Sequence, residues 1–478
     1  MHQRADDHIY KVTSALSTSN VNGHKAGFKN VLLDDRIVVI DAMRGVAILG
    51  ILMININWFG MPFQYNMDLN LNNEYSGPNY YMWIISNAFF EGSFRALFSI
   101  LFGASTILLL YRAEKKPDGL PPADFYYRRL MWLLVFGLIN GFILLWPGDI
   151  LFSYAVCGFF LFPFRNMKPR QLLMIGLVIM LVSGIKATHR MYQLKDLRVK
   201  GVAALQLEQQ HVKLTDQQET DKTNWLQFQA LNNTNTLRKE ADTQNLVLHK
   251  KYADISRYYK SITEQYESIN LYLSDFWDVL TFFFVGMAFY KWGVLSAERS
   301  KKLYWIFLLV GYTVGLTLGF LIINAHIKTR FDDSELADHL VVDFYQAKRL
   351  FMAMGHIGLI TLLYKYHFID RAIKVLARVG QMTLTNYLMQ SILCGLFFYG
   401  FGFGMFGKLE RYQLYYVVLG VWVFHLLFSN LWLSYFRYGP FEWVWRSLTY
   451  WKIQPLKRRN NAKTVAVSVA STSANPVQ

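Results

Sequence analysis

"VIDAMRGVAILGILMININWFG", Val39–Gly60, decides how the chain is to be read. As a helix it is long enough to cross the ~30 Å hydrocarbon layer of a bilayer, which takes about 20 residues. It nonetheless carries Asp41, Arg44, Asn55 and Asn57. A charge at mid-bilayer costs roughly 2.5–3.5 kcal/mol on insertion scales, so such side chains face protein or water rather than lipid. Asp41 and Arg44 stand three apart on one helical face and can pair. Asn55 and Asn57 lie about three turns further on, where amides either bridge helices or line a cavity.

Similar apolar runs recur along the 478 residues. Hydrophobic residues make up 53% and charged residues 17%, below the ~25% usual for a soluble domain. The runs fall at 37–60, 82–110, 129–147, 149–165, 171–188, 276–293, 303–324, 347–366, 381–401 and 414–436. They predict an all-α membrane protein of about ten transmembrane helices. Net charge is +16, which in a soluble chain would suggest nucleic acid. Here the bases cluster after the second, fourth, sixth, eighth and tenth runs. Segment 61–81 has none, and 325–346 has more acids than bases. That alternation follows the positive-inside rule, so both termini are expected in the cytoplasm, with lipid rather than nucleic acid as the partner.

The chain divides accordingly: a cytoplasmic N-terminal tail 1–36, a first helix group 37–188, a polar insertion 189–275, a second helix group 276–436, an interfacial segment 437–459 and a disordered tail 460–478. The polar first segment shows no signal-peptide pattern, so the first run is expected to serve as its own insertion signal. The insertion places Leu248, Tyr252, Ile255, Tyr259, Ile262, Tyr266, Ile269 and Leu273 at intervals of three and four. It reads as a helical hairpin on the outer surface, serving as a cap or a docking arm.

Chemistry is sought where polar residues interrupt apolar runs. "EGSFRALFSILFG", Glu91–Gly103, sets Glu91 and Arg95 four apart, in register to pair, with Gly92 and Gly103 offering close helix approach. "GQMTLTNYLMQS", Gly380–Ser391, aligns Thr383, Asn386, Tyr387 and Gln390 on one stripe that could line a cavity. "FRYGPFEWVWRSLTYWK", Phe436–Lys452, is aromatic and basic. It reads as an interfacial belt, or as a phosphate site using Arg437 and Arg446. His356 lies within a span and is a candidate general base, and His425 a weaker one. Cys157 and Cys394 sit in apolar runs without metal-ligand spacing, so no metal is expected. Nucleotide-binding loops, HExxH and GxSxG are absent from the sequence.

Taken in order, "IDAMRGVAILGILMINI", "FFEGSFRALFSILFGAS", "FVGMAFYKWG", "GQMTLTNYLMQS" and "FRYGPFEWVWRSLTY" resemble the YeiB-like family of bacterial inner-membrane proteins, a domain of unknown function. That family is distantly similar to transmembrane acyltransferases such as heparan-alpha-glucosaminide N-acetyltransferase. The resemblance implies a multi-pass inner-membrane protein, and a homodimer. It also implies an enzyme that passes an acyl group from cytoplasmic acyl-coenzyme A, acetyl-coenzyme A first, to a small-molecule or glycan acceptor across the membrane. Asn55 falls at the superfamily's catalytic asparagine, Asp41 and Arg44 match its helix-start motif, and Glu91 falls near its second-helix acid. Segment 61–81 has no histidine where the heparan enzyme has one, leaving Glu91 or His356 to act as base. The resulting expectation is Asn55, Glu91 and His356 for catalysis. Asp41, Arg44, Arg95, Asn386, Gln390, Arg437 and Arg446 would hold the donor. All are expected around one interior pocket. A transporter of a small anionic molecule and a membrane scaffold acting through the insertion are the competing readings.

Overall fold

A computed structural model describes residues 37–115 and 120–458. The two predicted tails, together with Lys116 and Arg459, lie outside the described residues. Among those described, the chain is helical throughout and an isolated bridge joins Phe436 to Lys457.

The helices are α1 (Val38–Gly60), α2 (Gly77–Ile85), α3 (Ser93–Glu114), α4 (Pro122–Leu138), α5 (Leu151–Phe159), α6 (Pro169–Gln209), α7 (Asp216–Asn232), α8 (Thr234–Leu248) and α9 (Tyr252–Gln265). The second half holds α10 (Phe276–Lys291), α11 (Lys301–Lys328), α12 (Tyr345–Lys365), α13 (Asp370–Gln381), α14 (Thr383–Phe398), α15 (Arg411–Tyr435) and α16 (Pro440–Tyr450). Among the described residues, six helical stretches are long and apolar enough to cross a membrane: Val38–Gly60, Gly77–Glu114, Pro169–Gln209, Tyr252–Lys291, Lys301–Lys328 and Arg411–Tyr435. This is a multi-pass helical membrane protein. The predicted span 149–165 is a half-length helix, α5. Pro147-Gly148 precedes it, and a 3-10 turn containing Pro163 follows at Phe162–Asn166. Its rise of about 14 Å covers half a bilayer.

α1 is central: 78% of its most apolar stretch is buried, against 11% for α6. α6 instead turns Met174, Val178, Leu181 and Ile185 outward, as a helix facing lipid should. Close crossings are set by glycine. A Cβ at Gly103 of α3 would fall on the Phe283 carbonyl of α10, and one at Gly286 on the Ile100 carbonyl, so only hydrogen at both positions lets these backbones meet.

The insertion is not a hairpin. α6 runs on without a break for 41 residues, about 60 Å, and carries the chain out of the membrane. α7, α8 and α9 then fold back over the bundle. Trp225 of α7 is buried against Gly201 of α6. Gln244 Oε1 accepts from the Phe63 amide at 2.9 Å, the Leu248 carbonyl accepts from the Gly400 amide at 2.8 Å, and the Tyr252 hydroxyl donates to the Ile143 carbonyl at 2.8 Å. The predicted apolar face holds at Leu248, Ile255 and Tyr259 and then fails: Leu271 is buried, while Ile269 and Leu273 are more than half exposed. A π-helical stretch over Tyr266–Asp275 causes this, because its wider turn rotates the face away from a 3.6-residue period.

The loop after α1 is held by an internal ion pair. Arg411, fully buried, donates from Nε to Glu74 Oε2 at 2.7 Å and from Nη2 to the Tyr65 carbonyl at 2.6 Å. Arg411→Ala would strand the Glu74 charge, and a loss of about 3–5 kcal/mol is expected in melting of the purified protein. The insertion is tethered differently. Asp338 pairs with Lys195 Nζ at 2.6 Å and with Arg198 of α6. The Lys195 hydrogen bond, then the Arg198 charge, hold its carboxyl below the ordinary value of 3.8. A depressed folded-state pKa means the tether is fully present above about 3.8 and is lost as pH falls through the folded value. Amide exchange in 336–343 should therefore rise on acidification below that range and stay flat between neutrality and mild acid.

Candidate functional site

The second span does not run straight. α2 ends in a π-helical turn, Ser86–Phe90, and the chain breaks at Glu91–Gly92 before α3 begins. Gly92 has φ +69°, a left-handed conformation that suits glycine, and a Cβ there would meet Arg349 Cδ at 2.6 Å. The break frees carbonyls, and α12 satisfies them. Lys348 Nζ donates to Asn87 O at 2.7 Å and Glu91 O at 2.8 Å, and Arg349 Nε donates to Gly92 O at 3.1 Å.

That arrangement undoes the predicted Glu91–Arg95 pair, because the break between them destroys the four-residue register. Glu91 Oε1 accepts instead from the Tyr345 hydroxyl at 2.9 Å. Arg95 Nη2 lies 3.6 Å from Asp278 Oδ2, and Asp278 Oδ1 is bonded to Arg349. Asp278 thus holds two guanidinium groups in the bundle.

Above this triad lies a chamber of about 480 Å³. Asn55, Asn57, Glu91, Arg95, Asp149, Glu267, Asp275 and Lys348 contribute to its lining, with Trp58, Tyr154, Tyr266 and Tyr345 among its aromatic walls. Four acids oppose two bases, so it is an acidic chamber. Asn55 lines it without a protein hydrogen-bond partner among the described residues. Three π-helical segments surround it: Ser86–Phe90, Ile139–Ile143 behind Asp149, and Tyr266–Asp275. Such segments displace side chains from regular helical register.

A second chamber of about 250 Å³ lies toward the other end of α1, lined by Arg44, Arg112, Arg129, Tyr126, Tyr387, Glu442 and Trp445 among others. Arg44 pairs with Asp41 at 3.0 Å and bonds Ser105, so Asp41 positions it. The Arg129 guanidinium lies 3.5 Å over the Trp445 ring, within electrostatic reach of Arg44 and Arg446. Glu442 is engaged by the amide of Thr385 at 3.0 Å and by its hydroxyl at 2.5 Å, capping the start of α14. This is a basic chamber. Tyr154 is the one residue in both linings among those described. Its hydroxyl is 2.6 Å from Ser99 Oγ.

The expectation of one shared pocket is therefore corrected: among the described residues the candidates divide between two separate chambers. Asn55, Glu91 and Arg95 face the acidic chamber and Arg44 the basic one. Arg446 stacks between Tyr438 and Tyr450 beside the basic chamber, and Arg437 lines neither void. Asn386 is spent on the Val379 carbonyl and Ser429, each at 3.0 Å, and Gln390 on the Ile48 carbonyl at 3.0 Å; both fasten helices. His356 also lines neither void, its Nδ1 lying 3.0 Å from the Tyr312 hydroxyl and its Nε2 3.2 Å from Ser93 Oγ. The sequence reading passed over Lys348, Arg349 and Asp278. The adjacent bases in "YQAKRLFMAMGH" and the acids in "SDFWDVLTFFF" were the available signal, charges inside apolar runs.

Residues 289–452 match the family described as "Protein of unknown function (DUF418)". The uncharacterized protein YxaH of Bacillus subtilis is 30% identical over 90% of this chain and 98% of its own length. The chain belongs to this family. The uncharacterized protein YeiB of Escherichia coli is 26% identical over 87% of this chain and 96% of its own. An uncharacterized 39.9 kDa protein of Bacillus acidopullulyticus is 26% identical over 90% and 99%. No solved structure matches significantly.

In this DUF418 chain Asp278 is the counter-ion on which the chamber floor rests. Asp278→Ala leaves Arg349 buried without an acid partner, with an expected loss of about 3–5 kcal/mol. Asp278→Leu combined with Arg349→Met should recover only part of it in melting experiments, because apolar packing replaces the Arg349 pair while Arg95 loses its acid and the Gly92 carbonyl its donor.

Proposed function

We propose that the protein is an inner-membrane acyltransferase. It takes an acyl-coenzyme A donor at the basic chamber and delivers the acyl group to an amine or hydroxyl in the acidic chamber. The observation that carries this reading is the placement of two voids of opposite charge end to end, with Tyr154 as their common wall. A phosphate-bearing donor suits Arg44, Arg112 and Arg129, since guanidinium groups bind phosphate through charge-assisted, often bidentate hydrogen bonds. A void of about 250 Å³ fits a slender arm such as pantetheine, with the nucleotide left at the mouth. The base-rich loops at the Arg44 end support a cytoplasmic mouth.

The chemistry uses residues of the acidic chamber. Glu91 takes the proton of the acceptor amine or hydroxyl. The free amide of Asn55 donates to the oxyanion as the acceptor attacks the thioester carbonyl. A C–N or C–O bond forms, the C–S bond breaks, and the thiolate leaves toward the basic chamber, where it takes a proton from water. Two voids in line behind one side chain also suit a transporter of a small anion, the second reading.

Titration of the purified protein with acetyl-coenzyme A decides between them. Binding is expected, weakened at least tenfold by Arg44→Ala or Arg129→Ala and reduced by added salt. Asn55→Ala and Glu91→Gln should retain donor binding and lose about 100-fold or more in transfer. No binding at millimolar donor sinks the transferase. Uptake of an anion into proteoliposomes without thioester cleavage establishes the transporter.

A further inference from the structure

Asp149 and Glu267 face the acidic chamber from different elements, the turn before α5 and the π-helical stretch before α10. Both pack over the same helical run, where Gly137 lies in the last turn of α4 and Gly141 in its π-helical extension. A Cβ at Gly137 would meet Asp149 Oδ2 at 2.8 Å, and a Cβ at Gly141 would meet Glu267 Oε1 at 2.8 Å. Two missing side chains thus make room for two carboxylates. The two carboxyls lie within electrostatic reach of one another.

The bases of the chamber do not neutralise them. Arg95 is bound to Asp278, and Lys348 to the carbonyls of Asn87 and Glu91. Glu267 Oε1 accepts no hydrogen bond. Asn140, fully buried, gives its Nδ2 to Asp149 at 2.7 Å, and its Oδ1 accepts nothing. Asn57, 3% exposed in the chamber wall, also has a free Oδ1. These three atoms are acceptors, whereas Trp146 Nε1, also in the lining, is an unpaired donor. Buried acceptors require donors, and a cation supplies them while compensating two neighbouring carboxylates. Trp58 and Tyr266 add aromatic faces that attract a cation.

We propose that Asp149 and Glu267 together seat a primary ammonium group, the amine end of an organic molecule that fills the acidic chamber. Identifying that molecule as the acyl acceptor rests on the transferase reading, in which the ammonium end anchors it and a separate hydroxyl or amine of the same molecule meets Glu91. The cation seat itself does not.

The test uses the purified full chain, with hexylammonium as probe, hexanol as its neutral match and sodium chloride as the alkali-ion control. Hexylammonium should raise the melting temperature, and hexanol should not. Glu267→Gln, nearly isosteric, should weaken amine binding at least tenfold while leaving acetyl-coenzyme A binding intact. Asp149→Asn is the second variant should the first fail to fold. Equal response to hexanol, undiminished binding in both variants, or displacement of the amine by sodium at equal concentration overturns the proposal. Amine binding in a wild-type protein that fails to bind acetyl-coenzyme A would sink the transferase and leave the ammonium seat standing.

Discussion

Opened backbone cannot be left bare in lipid. Each unpaired N–H or C=O in the hydrocarbon core costs several kcal/mol, so an interrupted helix survives only where protein supplies partners. The break at Glu91–Gly92 draws Lys348 and Arg349 into the bundle as those partners. Two buried bases then demand an acid. Asp278 answers Arg349, and its second oxygen reaches Arg95. One local irregularity thereby fixes how α10, α12 and α3 sit against one another. It also frees Glu91 from α3 and turns its carboxylate to the chamber beside Tyr345.

Charge separation along α1 follows from the same economy. Arg44 and Asn55 are eleven residues apart, about 16 Å of helix, and each faces a different void. Excess positive charge gathers in one and excess negative charge in the other. Each chamber therefore repels what its neighbour attracts, so two ligands of opposite sign can occupy the molecule without competing. Tyr154 stands between them, pinned by Ser99 at 2.6 Å. Its ring rests against Phe98, Phe102 and Phe283, which defines where the two voids meet.

Much of the fold was legible because hydrophobic length is a coarse signal that tertiary context rarely overrides. The Asp41–Arg44 pair and the close approach at Gly103 were also readable, since both depend on spacing within one helix. What escaped depends on spacing between helices. Periodicity placed Asn386 and Gln390 on one polar stripe, but it carries no information on what the stripe meets, and it meets Ser429 and the Ile48 carbonyl. Glu91 and Arg95 kept the right interval and lost their contact to a left-handed glycine between them. A helical face projected through residues 266–275 failed for the same kind of reason, because a π-helical stretch changes the period without changing the composition.

The insertion shows where composition misleads most. Its polarity suggested a spacer or cap outside the machinery. Yet Tyr266, Glu267 and Asp275 from its last stretch form part of the chamber wall, and α8 closes over the loops that end α1 and α14. The π-helical geometry that spoils the apolar face is what turns Glu267 inward over Gly141, where a regular helix would present a different residue. A segment that only covered the membrane surface would gain nothing by burying a carboxylate there. Burying one carboxylate beside another without a counter-ion costs free energy, a cost that the proposed ammonium seat would offset.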